Sequence, residues 1–155
     1  MIEFDLSSIP SNAIINSAIL YAYLAVGNQH GGSPSSYIYR ATAPWIETAV
    51  NWNTQPPPLD PTSIYKISVP APPTITSDMV VTVTTLVQNM ITYGNYGFIW
   101  RIQNEVPSNR MMFASSDNTE ASDWPKLIVD YTLGAVSTTY YIRDAAGNVI
   151  ATYKK

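Results

Sequence analysis

Two short stretches of the chain carry the side chains best suited to holding a ligand: Tyr37, Tyr39 and Arg40 in the first, Trp100, Arg101 and Gln103 in the second. Aromatic rings offer apolar faces on which a sugar ring can stack, and a guanidinium or amide beside them can bond the hydroxyls. Phe98, Trp100 and Ile102 alternate with Ile99, Arg101 and Gln103, the period of a strand with one buried face. Trp100 is therefore expected inside, and Arg101 and Gln103 outside, where they could line a groove with Arg40. The candidate ligand-binding set is Tyr37, Tyr39, Arg40, Arg101 and Gln103. A solvated sheet surface is the competing reading of the same face. Trp45, Trp52 and Trp124 could also stack on sugars, although such rings more often fill the core or ends of a β-sandwich.

Catalytic chemistry finds little to work with. His30 is the only histidine and sits in a Gly- and Ser-containing loop, so a histidine-based triad or a multi-histidine metal site would depend on that loop alone. The absence of cysteine excludes thiolate nucleophiles, disulfides and thiolate zinc sites. Glu47, Asp60, Glu105, Asp117, Glu120 and Asp123 are scattered, whereas glycoside hydrolysis needs two carboxyl groups facing one cleft. No catalytic residue is assigned and no enzyme is expected. Asp117, Asn118, Glu120 and Asp123 are close enough in sequence to hold calcium, but the spacing is not that of an EF-hand. A turn held by Asx hydrogen bonds is the favoured reading, so neither metal nor cofactor is expected.

The elements that must position these residues are short. The 155 residues suit one domain with a sizeable core. Charged residues are 12% of the chain against a usual share of about 25%, while 46% are hydrophobic, which favours a folded chain over a disordered one. Eleven Tyr and twelve Pro, with abundant Thr, Ser and Asn, favour many strands joined by turns. The fold class expected is all-β: a jelly-roll-like antiparallel β-sandwich with one short helix near residues 84–93 and a C-terminal β-hairpin. A net charge of -3 with only eight Lys and Arg gives no basic stripe, so nucleic acid is not an expected partner. No apolar run is long enough to span a bilayer and no export signal opens the chain, so the signal of an exported parent would lie outside it.

Along the chain, Ile2 to Leu6 alternates like a half-buried strand that begins abruptly. Ile15 to Val26 is apolar on both alternating sets and reads as a central strand covered on both faces. Short strands follow at Tyr37 to Thr42, Ile64 to Val69 and Met79 to Val83, with a Pro-rich connector from Gln55 to Pro61. Thr84 or Thr85 is expected to cap a helix whose apolar residues are Leu86, Val87, Met90 and Ile91, and Gly94 to end it. Strands at Phe98 to Gln103, Arg110 to Ser115 and Leu127 to Tyr131 complete the sandwich. Thr139 to Ile142 and Val149 to Tyr153 form a separate hairpin turned at Gly147-Asn148.

The runs Phe4-Asp5-Leu6-Ser7-Ser8-Ile9-Pro10 and Ala13 to Ala18, then Trp45-Ile46-Glu47 with Val50-Asn51-Trp52-Asn53, resemble the DNRLRE family. Asn95-Tyr96-Gly97-Phe98, Phe113 to Asp117 and Pro125-Lys126-Leu127 extend the likeness over roughly residues 2–132. It implies a jelly-roll module of large exported bacterial or archaeal proteins, some linked with polysaccharides including alginate, and usually carrying a further strand region before Ile2. Tyr140 to Val149 is similar to the YD repeat of RHS proteins. Together these divide the chain into a DNRLRE-like sandwich, 1–132, and a linker with an RHS-like hairpin, 133–155, inside a longer surface protein. Two functions follow as expectations: a non-catalytic, secreted or cell-surface module for carbohydrate binding or adhesion, or a building block of an extracellular filament or shell assembling through strand edges. The corresponding partners are polysaccharide, or neighbouring subunits and domains of the parent.

Overall fold

In the computed structural model, residues 1–56, 66–134, 139–143 and 149–154 are described, the last two stretches by their backbone alone. The strands are β1 (Ala13–Ala22), β2 (Ser36–Arg40), β3 (Lys66–Val69), β4 (Met79–Thr82), β5 (Phe98–Ile102), β6 (Lys126–Leu133), β7 (Thr139–Arg143) and β8 (Val149–Lys154). One helix, α1 (Thr84–Tyr93), lies between β4 and β5 in sequence. One antiparallel sheet runs β4-β1-β6 and a second β3-β2-β5, while β7 and β8 pair with each other. The protein is an all-β sandwich with one short helix and a C-terminal hairpin. The Gly147-Asn148 turn, and most of the Pro-rich connector, lie outside the described residues.

The period-two pattern explains which faces meet. Ala18, Leu20 and Ala22 of β1 are fully buried, as is Ile38 of β2, and Phe98 of β5 nearly so. They join Leu86, Val87 and Met90 of α1 in one core that draws on both sheets and the helix. Burying side chains such as Leu20, Ile38, Leu86 and Phe98 contributes about 1.5–3 kcal/mol each.

Several local expectations are corrected. Helix α1 is capped by Val83 without a side-chain bond. The Thr84 hydroxyl instead accepts the amide of Ala18, tying the helix start to β1. Gly94 ends the helix at φ 104°, where a residue with a Cβ would be strained. Ile2 to Leu6 forms no regular strand: Ile2 makes a single antiparallel bridge to Phe98, and Asn95 Nδ2 donates to the Phe4 carbonyl at 2.7 Å. Asp5 accepts the Ser7 amide at 2.8 Å, and that bond holds its carboxyl below the ordinary range. Arg110 to Ser115 also forms no strand, because its backbone donors have other partners. Arg110 bridges Gly31, the Met112 amide reaches His30 Nδ1, and the Ala114 amide reaches the Tyr23 carbonyl. Finally, β1 is covered on one face only, since Ile14 is 55% exposed and Ile19, Tyr21 and Tyr23 are only partly buried.

Candidate functional site

The outer face of the β3-β2-β5 sheet is set by register. Tyr37 lies opposite Arg101 and Tyr39 opposite Ile99, while the alternate residues Ser36 and Ile38 point into the core. Gln103 continues the outward set of β5. Its backbone amide donates to the Ser35 carbonyl at 2.9 Å, and its side-chain nitrogen to the Ser36 carbonyl at 3.2 Å. Tyr37, Tyr39, Arg101 and Gln103 come together with Ile102 and Glu105 around one open groove of about 350 Å³.

Arg40 is not among them. It is 5% exposed and lies opposite Phe98, on the core side of β2, where Nη1 donates to the Gly94 carbonyl at 3.2 Å and the guanidinium lies 5.8 Å from the centre of the Tyr93 ring. Adjacent residues of a strand face opposite ways, so Arg40 could not share the face of Tyr39.

Cations and rings interleave across the groove. The Tyr37 and Tyr39 rings meet edge to face at 5.9 Å, and Lys66 Nζ lies 4.5 Å from the centre of the Tyr37 ring. Tyr39 is nearly buried, packed with Ala41 and Ile99 and flanked by Tyr96. Arg101 lies 4.8 Å from the centre of the Trp52 ring and 3.6 Å from Glu105 Oε1. That ion pair is exposed and worth about 0–1 kcal/mol, so a ligand can displace it. The cation–ring contacts hold Arg101 at the groove and Lys66 against the Tyr37 ring that lines it.

Lys66 falls outside the residues singled out from the sequence, and Trp52 stands there only among the rings that could stack on sugars. Trp52 is 62% exposed, and its setting between Asn51 and Asn53, away from any alternating pattern, was the available signal. The other tryptophans lie away from this groove and bond elsewhere. Trp100 donates from Nε1 to Ser36 Oγ at 2.7 Å and packs against Phe113, Trp45 donates to the Tyr96 carbonyl, and Trp124 to the Asn118 carbonyl. In the acidic loop, Asn118 Oδ1 accepts the Glu120 amide at 3.0 Å, an Asx turn. Among the described residues no three His, Cys, Asp or Glu side chains group closely enough to hold a metal ion, and no helix is long and apolar enough to cross a membrane.

A β-sandwich that places rings, a guanidinium, an amide and a carboxylate around a shallow groove has the build of a binding module. The chain belongs to carbohydrate-binding module family 96, whose model matches residues 1–131. Comparison with curated proteins and with solved structures gives no match.

Proposed function

We propose that the chain is a non-catalytic carbohydrate-binding module whose ligand lies in the groove on the outer face of the β3-β2-β5 sheet. The observation that carries this is the convergence there of Tyr37, Tyr39, Arg101 and Gln103 beside the exposed ring of Trp52. The apolar C–H face of a sugar stacks on Trp52 or Tyr37 and removes ring surface from water. Arg101 and Gln103 donate to hydroxyl or carboxylate oxygens, and Glu105 accepts from hydroxyls. The likeness of residues 2–132 to DNRLRE modules, and of the tail to an RHS hairpin, supports placing the module in a longer secreted or cell-surface protein.

Affinity gel electrophoresis against alginate, pectin, xylan and mixed-linkage β-glucan tests the reading. The wild-type chain is retarded by at least one of these polymers. Arg101→Ala and Trp52→Ala each weaken that retention about tenfold or more, equivalent to about 1.4 kcal/mol. Retention unchanged in both folded variants removes the groove as the site.

A second reading, assembly through a strand edge, is favoured by one observation at β6. No described strand pairs with the outer edge of β6, and Tyr131 and Leu133, opposite the buried Ile15 and Ala13, are 37% and 64% exposed. Antiparallel pairing of two copies about Ile128 would set Lys126 of each opposite Asp130 of the other, a favourable cross-strand pair. Light scattering should then show concentration-dependent dimers that Ile128→Lys abolishes, because it sets two like charges opposite each other at the centre of the pairing. A strictly monomeric wild-type chain sinks this reading and leaves the groove untouched.

A further inference from the structure

The apolar pattern on both faces of β1 leaves an unusual surface on the other sheet. Its inner set, Ala18, Leu20 and Ala22, is buried in the core, while Ile19, Tyr21 and Tyr23 face outward. Across the sheet, Tyr21 lies between Val80 and Lys126, and Ile19 between Thr82 and Ile128. Val80 is 61% exposed and Ile128 48%, so apolar side chains meet water on a face that a solvated sheet would make polar. The Tyr21 and Tyr23 rings stand 6.4 Å apart and within 17° of parallel. Lys126 Nζ lies 5.3 Å from the centre of the first ring and 6.0 Å from that of the second.

This constellation repeats the one that lines the groove. The outer face of each sheet carries a Tyr-x-Tyr pair at its central strand, Tyr21 on β1 with Tyr23 just past its end, and Tyr37 with Tyr39 on β2. In each, an edge strand brings a lysine ammonium to those rings, Lys126 from β6 and Lys66 from β3. Apolar ring faces interleaved with a cation and the hydroxyl of Thr82 suit a ligand that alternates C–H faces with oxygens. A polysaccharide is such a ligand, with ring C–H faces to stack on Tyr21 and Tyr23 and hydroxyl oxygens to accept from the Lys126 ammonium.

We infer that the outer face of the β4-β1-β6 sheet, centred on Tyr21, Tyr23 and Lys126, is a second polysaccharide-binding face. The inference rests on the reading of the module as carbohydrate-binding and extends it. The outer faces of the two sheets of a sandwich point in opposite directions, so one module grips two polysaccharide segments and cross-links them.

The test uses whichever polymer retards the wild-type chain, with an oligosaccharide cut from it as the calorimetric probe. The wild type binds two oligosaccharides per chain and makes solutions of the intact polymer turbid. Tyr21→Ser/Tyr23→Ser binds one, keeps the affinity of the groove and loses the turbidity. Lys126→Ala replaces an exposed side chain, so it keeps the fold even if the double variant does not, and it weakens the second site at least threefold. A wild-type stoichiometry of one, with Arg101→Ala weakening all of the binding and Lys126→Ala changing nothing, overturns the second face while the groove stands. Failure of every polymer to retard the wild type removes both.

Discussion

Replacing Phe98 with alanine is expected to remove about 3–5 kcal/mol of stability, since truncating a buried aromatic loses its transfer free energy and leaves a cavity. Phe98 is 1% exposed and is among the largest fully buried side chains. Its ring meets that of Phe4 edge-on, with centroids 6.4 Å apart, and its backbone exchanges both hydrogen bonds with Ile2. One side chain thus joins the N-terminal segment, β5 and the core. Domains of this size are stable by only about 5–15 kcal/mol, so the loss takes from about a fifth to all of that margin. Urea unfolding followed by tryptophan fluorescence measures the loss, and Phe98→Leu should recover about half of it. A loss below about 1 kcal/mol for the alanine variant, against the 3–5 expected of a buried aromatic, would mean that the core closes over the gap. The groove would suffer with the fold, because Phe98 begins the strand that carries Arg101.

Much of the groove was legible in advance because β5 obeys a simple rule. Phe98 and Trp100 alternate with Ile99 and Arg101, and the structure puts the first pair toward the core and the second outward. The same rule, applied to β2, would have removed Arg40 from the face of Tyr37 and Tyr39. What alternation within one strand cannot supply is the register between strands, which places Tyr37 opposite Arg101 and so makes a groove. Trp52 and Lys66 were harder for the same reason: each earns its place by contact with a residue distant in sequence.

The misread elements share a physical cause, a backbone or side-chain partner that no local pattern announces. Thr84 has the chemistry of a helix cap, yet its hydroxyl accepts from Ala18 on a neighbouring strand. Arg110 to Ser115 has strand composition, but its donors go to a histidine ring and to a loop carbonyl. The apolar residues Ile19 and Tyr21 predict a β1 buried on both faces, but no described element covers that side of the sheet and both stay only partly buried.

His30 shows how much such a partner can matter, and its replacement by alanine is expected to cost about 2–4 kcal/mol, from two hydrogen bonds left unmade and a ring removed. The ring is 3% exposed. Nδ1 accepts the amide of Met112 at 3.1 Å, which fixes the proton on Nε2, and Nε2 donates to the Ser77 carbonyl at 2.9 Å. The ring also stands edge-on to Phe113 at 5.3 Å, and the His30 amide donates to the Ile75 carbonyl. One residue therefore fastens three loops that the sheets alone would leave apart. Alanine leaves the Ser77 carbonyl and the Met112 amide without their partner in a partly buried setting. Glutamine offers one donor and one acceptor on a longer arm, so His30→Gln should recover about 1 kcal/mol, the worth of one restored hydrogen bond. Hydrogen exchange adds a local readout: the Met112 amide should lose protection in the alanine variant before the amides of β1 do. An alanine variant as stable as the wild type, with that amide still protected, would show that the loops are held by their backbone bonds at Gly31 and Arg110 and that the imidazole only fills space.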